Sequence, residues 1–234
     1  IIIIVFLFFF LEFFLLLLTS YLKKNFQWLI TEKDEYPEFS KKKIDNFFKN
    51  SFDKNLGWIR KKNTSGTEHS KNSISKFKID KQGARFNKFN INPRVAIFGD
   101  SYAFCRQVND HQAWTALLAG KLRCGFLNFG VGNYGLDQAL LRYEKTKLSK
   151  KVKIVIIGVV PETISRIHSS WKHYLEFGNI LAFKPMFKLK NDALILKKPI
   201  IQTPKDFKKI KQIIKAAKKD DYFYYRKFKK YKLS

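Results

Sequence analysis

The run Val95-Ala96-Ile97-Phe98-Gly99-Asp100-Ser101 constrains what this chain can fold into more than any other segment. Four consecutive apolar residues predict a buried strand. Gly-Asp-Ser then breaks the strand and leaves a hydroxyl at its carboxyl end. In open α/β sheets, ligands bind outside the carboxyl ends of the strands. Ser101 is therefore a candidate nucleophile.

From Arg94 onward, strand and helix patterns alternate. Strand 94–98 is followed by a helix near 111–122, with Trp114, Leu117, Leu118 and Leu122 at helical spacing. A second strand covers 125–129. The loop Gly130-Val131-Gly132-Asn133-Tyr134-Gly135 leads into a helix over 136–147, with Ala139, Leu140 and Tyr143 as its expected buried stripe. The third strand, 152–160, is almost wholly apolar, which predicts cover on both faces. This β-α-β-α-β order predicts a parallel sheet with right-handed crossovers. The fold class expected is α/β, a three-layer sandwich of flavodoxin-like type. Loops 99–104, 130–135 and 161–165 then share one sheet edge, with the glycine loop beside Ser101. Acyl transfer at a serine needs N–H groups aimed at the developing oxyanion. A glycine-rich turn opening into a helix supplies such groups. Asp100 is expected to cap the turn that follows it.

With these residues in place, the chain resembles the SGNH, or GDSL-type, hydrolase family. Ile97-Phe98-Gly99-Asp100-Ser101 resembles its first block. Residues 127–135, with Asp137-Gln138-Ala139-Leu140, resemble its second, and Val155-Ile156-Ile157-Gly158 the strand before its third. The likeness covers roughly residues 77–165 and looks like membrane-associated members that sit beside surface-polysaccharide genes. The resemblance implies an esterase or acyl transferase acting on acylated glycans or similar cell-surface esters, with Ser101 as nucleophile and no cofactor or metal. The oxyanion donors it implies are the N–H of Ser101 and one in the Gly132-Asn133 stretch. The third block departs from the family: Gly158-Val159-Val160-Pro161-Glu162-Thr163 contains no asparagine, so either Thr163 substitutes as a donor or the hole is incomplete. The family's carboxyl-terminal Asp-x-x-His, whose histidine is the general base, does not occur in the chain. Two explanations compete: the chain is a fragment cut before that block, or it is inactive or uses another base, for which His168 and His173 are the candidates. The bland reading makes both exposed loop histidines near Trp171 and Tyr174.

Two rival functions stay open. One is a non-catalytic, membrane-tethered binding or assembly protein on the same fold. The other is a dinucleotide-binding domain, because Gly130-x-Gly132-x-x-Gly135 also fits that fingerprint. The loop follows the second strand, however, and no acidic residue ends the third where the fingerprint expects one.

The chain opens inside an apolar run, Ile1 to Leu18, about the length of a membrane-spanning helix. Thr19-Ser20-Tyr21-Leu22-Lys23-Lys24 reads as an interfacial exit. Glu12 opposes insertion by about 2–3 kcal/mol, which the neighbouring Phe and Leu offset. The expected organisation is a single-pass anchor over 1–20, with an uncleaved or atypical signal segment or a buried soluble helix as its alternatives, a juxtamembrane and linker region over 21–92, and the α/β domain over 93–234 with a hairpin insertion near 183–200. Lys23 and Lys24 favour the cytoplasm for the domain, whereas for a chain of the resembling kind a periplasmic or extracellular domain is expected. Residues 63–73 read as a loop, and 77–86 as a hairpin turning at Lys81-Gln82-Gly83. A lysine-coated helix over 204–217, with Phe207, Ile210, Ile213 and Ile214 on one side, is expected to cover the sheet, membrane-surface binding being its alternative.

The net charge of +27 comes from 46 Lys and Arg against 19 Asp and Glu. These lysines are spread along the whole chain, which argues against a focused nucleic-acid face. Cys105 and Cys124 have no metal-ligand spacing and read as two buried thiols.

Overall fold

Residues Ile2–Asn25 form one continuous helix, α1, in the computed structural model, which describes residues 2–26, 29–69 and 73–229. Its apolar side chains from Ile2 to Leu18 are all exposed, so no protein core holds them. The stretch Ile2–Lys23 is long and apolar enough to cross a membrane.

Between α1 and the parallel sheet lie α2 (Glu32–Glu35), α3 (Lys41–Asn50) and a short antiparallel pair, β1 (Phe52–Asp53) with β2 (Gly57–Trp58). A longer hairpin follows, β3 (Thr64–His69) with β4 (Ile74–Ile79). Of the loop expected over 63–73, residues 70–72 lie outside the described residues, and Thr64–His69 is thus a strand. Its Ser/Thr/Gly composition signals a turn, but pairing with β4 satisfies its backbone, and β4 anchors the pair by burying Phe77 and Ile79. The hairpin expected over 77–86 survives as a single bridge, Ile79 to Arg85, around a turn in which Asp80 Oδ1 accepts from the N–H groups of Gln82 and Ala84.

The central sheet has three parallel strands, β5 (Pro93–Phe98), β6 (Gly125–Asn128) and β7 (Ile154–Ile157), in the order β6-β5-β7. Between them run α4 (Ser101–Phe104), α5 (Trp114–Leu122) and α6 (Leu136–Lys145). Period-two alternation sends side chains of β5 to opposite faces. Val95 and Ile97 pack with Ala103, Ala119 and Phe126 on the α5 side, whereas Ala96 and Phe98 pack with Leu127, Phe129 and Ala139 on the α6 side. A bridge from Arg85 to Asn128 ties the β3–β4 hairpin to the β6 edge.

Three expected core faces are corrected. Helix α5 lays its small residues Thr115 and Ala119 on the sheet, which leaves Leu117, Leu118 and Leu122 exposed. In α6, Ala139 is buried as expected, but Leu140 and Tyr143 are partly exposed, and Gln138, Leu141 and Arg142 point inward instead. The two polar side chains enter because their ends find carbonyls: Gln138 donates to Leu56 O at 2.7 Å and Arg142 to Gly83 O at 2.9 Å. Strand β7 is shorter than expected and is not covered on both faces; Ile154, Val155 and Ile156 are exposed, and β5 is its strand partner among the described residues.

After β7 come α7 (Pro161–Ser165) and α8 (Lys172–Leu175), then the hairpin β8 (Met186–Lys190) with β9 (Ala193–Lys197). Its turn residues Asn191 and Asp192 both have positive φ, as a two-residue hairpin turn requires. A 3-10 segment, Pro204–Lys209, continues into α9 (Ile210–Lys218), then α10 (Tyr222–Tyr224) and a π-helical stretch, Tyr225–Lys229. This carboxyl-terminal helix does not cover the parallel sheet as expected. Phe207 and Ile214 instead join a second core with Ile30, Ile44, Trp171, Tyr174, Phe183 and Phe228. Residues on both sides of the parallel sheet in sequence therefore share one apolar cluster.

Candidate active site around Ser101

Ser101 is the first residue of α4, just past the carboxyl end of the central strand β5. The residue is half-buried, and its hydroxyl makes no hydrogen bond among the described residues. Asp100 caps α4 as expected, its Oδ1 accepting from Tyr102 N at 2.9 Å. Gly99 takes φ +153°, and a Cβ there would lie 2.8 Å from that of Ala103, so the strand-to-helix turn needs glycine.

The glycine loop lies against this turn. Val131 N donates to Gly99 O at 3.0 Å. A Cβ on Gly130 would stand 2.4 Å from Phe104 N, so the backbones meet at a distance only glycine permits. Asn128 fixes the loop from below: its Nδ2 donates to Ala103 O at 2.7 Å and its Oδ1 accepts from Gly130 N at 3.0 Å. The N–H groups of Ser101, Gly132 and Asn133 donate no hydrogen bond among the described residues. Asn133 adopts φ +69°, and its side chain donates to Asn179 Oδ1 at 3.2 Å. On the far side, Trp58 Nε1 donates to Gly132 O at 3.0 Å and Tyr134 OH to Trp58 O at 2.6 Å.

Sequence reasoning missed two arginines that hold this arrangement. Arg85, almost fully buried, donates to the carbonyls of Phe104, Cys105 and Val108 at 2.6–2.7 Å and pairs with Asp110 at 2.8 Å. It therefore satisfies the carbonyl end of the helix that begins with Ser101. Arg166 donates to Asp100 Oδ2 at 3.1 Å and to Tyr134 O at 3.0 Å. No local motif announces either one, because their partners lie 19 or more residues away in sequence. Beyond Arg166, Glu176 meets Lys172 Nζ at 2.7 Å. Burial pushes the Lys172 ammonium below the ordinary lysine range, and Glu176 opposes that.

The other expected site residues stand elsewhere. Thr163 is buried with its hydroxyl bonded to its own helix start, donating to Val160 O at 2.7 Å and accepting from Val160 N at 3.1 Å. His168 is exposed, with its ring near that of Tyr222. His173 is not the exposed loop residue of the bland reading. It is buried among Trp171, Tyr174 and Phe177; Nδ1 accepts from Gly178 N at 3.2 Å, and Nε2 is bonded to Asp34 O. Both ring nitrogens are thereby engaged, with the proton assigned to Nε2, and burial lowers the ring's pKa.

A cavity of about 670 Å³ opens beside Gly132 and Asn133. Cys105 and Cys124 are free and half-buried. Among the described residues, no group of three or more His, Cys, Asp or Glu side chains is placed to hold a metal ion. No protein-family model matches the chain, and no curated protein matches it significantly.

Proposed function

We propose that this chain is a membrane-anchored serine ester hydrolase or O-acyl transferase of the SGNH type, with a three-layer α/β sandwich. Its substrates would be acylated glycans or related cell-surface esters, and its domain would lie in the periplasm or outside the cell. The observation that carries the reading is the position of Ser101 at the end of β5, its hydroxyl and the N–H groups of Gly132 and Asn133 on the neighbouring loop having no hydrogen-bond partner among the described residues. Ser101 Oγ would attack the acyl carbon, and the oxyanion would be held by the N–H groups of Ser101 and the Gly132-Asn133 turn. The acyl–oxygen bond then breaks, the alcohol leaves with a proton, and Ser101 carries the acyl group. Water or an acceptor hydroxyl takes it off, which gives hydrolysis or transfer. Helix α1 would tether the domain to the lipid.

A fluorophosphonate probe tests the reading. It should label the full-length chain and fail to label Ser101→Ala. An unlabelled wild-type chain would sink the assignment.

A second reading is a non-catalytic binding or assembly protein on the same framework. The engagement of both nitrogens of His173, with no histidine or carboxylate bonded to Ser101 among the described residues, favours it. The same probe separates the two readings.

A further inference from the structure

We propose that the cavity beside the glycine loop binds an anionic glycan strand, the carrier or acceptor of the acyl group. This identity of the ligand rests on the Ser101 reading, whereas the binding itself does not. The volume of about 670 Å³ falls within the range of ligand pockets, roughly 300–1,000 Å³. Its wall carries three cationic side chains, Lys43, Arg60 and Arg106, against one carboxylate, Glu68. Glu68 is already paired with Arg60, whose guanidinium also lies 4.2 Å and 4.0 Å from the ring centres of Phe77 and Phe104. Arg60 is thus held in place and neutralised.

Lys43 and Arg106 differ: neither side chain has a hydrogen bond or ion pair among the described residues. Arg106 is also tied to the nucleophile, because its N–H donates to Ser101 O at 3.3 Å. The unpaired cations call for a carboxylate or another oxyanion. The rest of the lining calls for a hydroxyl-rich ring. Asn46 and Asn50 offer carboxamides that each donate and accept, and Phe47 and Trp58 add aromatic surface. A polymer of acidic sugars satisfies both demands, and its strand would pass beside Gly132 and Asn133.

Isothermal titration of the full-length chain in detergent micelles tests this, with tetragalacturonate and maltotetraose as probes. Tetragalacturonate should bind, and maltotetraose should bind about tenfold or more weaker, as loss of a charge-assisted contact implies. Arg106→Gln and Lys43→Gln should each weaken tetragalacturonate binding by about tenfold, whereas Lys121→Gln on α5, away from the cavity, should not. Ser101→Ala should bind tetragalacturonate like the wild type while losing probe labelling. Binding with this variant pattern but no wild-type labelling would sink the acyl reading and leave the glycan site standing. Equal binding of the two sugars, absence of tetragalacturonate binding, an equal loss in Lys121→Gln, or equally effective displacement by tripolyphosphate would overturn the proposal.

Discussion

Arg166 and Asp100 form a buried ion pair, Nη1 to Oδ2 at 3.1 Å, directly behind the serine that begins α4. Because Arg166 also holds the Tyr134 carbonyl, one guanidinium joins the segments that follow all three parallel strands. Removing one member of a buried pair leaves the other charge uncompensated, which typically costs about 3–5 kcal/mol. Arg166→Met is expected to lower unfolding stability by about that amount. Asp100→Asn, which keeps one acceptor but leaves the guanidinium without its carboxylate, is expected to lose a similar amount. Urea unfolding followed by tryptophan fluorescence measures both.

Close backbone approach at Gly130 gives a second expectation. A Cβ there would press on Phe104 N at 2.4 Å, and backbone atoms cannot step aside cheaply. Gly130→Ala should cost about 1–3 kcal/mol by overpacking. It should also abolish fluorophosphonate labelling by displacing the loop from Ser101. A variant as stable and as reactive as the wild type would show that the contact is not needed.

The buried ring of His173 sets a pH dependence. Burial depresses its folded-state pKa below the ordinary imidazole value of about 6.5. The unfolded chain then binds more protons than the folded one as pH falls from about 6.5 toward the lower folded value. The stability contributed by the neutral ring is therefore present above that window and lost on acidification through it. Thermal midpoints measured across the window should fall more steeply with acid for the wild type than for His173→Gln.

The Arg85 clamp on α4 is a fourth test. Arg85→Met would take the guanidinium donor from the carbonyls of Phe104, Cys105 and Val108 and from Asp110 Oδ1, while Lys78 N still donates to Asp110 Oδ2 at 3.0 Å and Val108 N to Cys105 O at 3.4 Å. We expect a loss of about 3–5 kcal/mol, and slower labelling of Ser101 even at temperatures where the variant stays folded. Asp110→Asn should be milder, because Asp110 is more exposed than Arg85.

For α1, the expectation is retention of the wild-type chain in the membrane pellet after alkaline carbonate extraction. Arginine at Phe9 and Leu11, mid-helix, adds about 2.5–3.5 kcal/mol per residue to insertion. The double variant should move to the supernatant. A wild-type chain that extracts freely would remove the anchor.

Local patterning in the sequence was enough to locate β5, β6, α6, the β8–β9 turn and the long apolar α1, because each rests on interactions between near neighbours. Four apolar residues ending in Gly-Asp-Ser here make a strand and a capped turn through near neighbours alone. The Asn191-Asp192 turn likewise depends on two backbone conformations alone. What the sequence could not reveal was which face of each helix meets the sheet, or which charges are taken inside. Leu117 and Leu122 have the spacing of a core stripe, yet small Thr115 and Ala119 face the strands. Gln138, Arg142, Arg85 and Arg166 are polar or charged, yet each is buried where a distant carbonyl or carboxylate accepts a hydrogen bond from it. Burying a polar group is favourable only when its partner is in place, and those partners come from segments 19 to 82 residues away. That pairing, and with it the setting of Ser101, was decided by the tertiary structure alone.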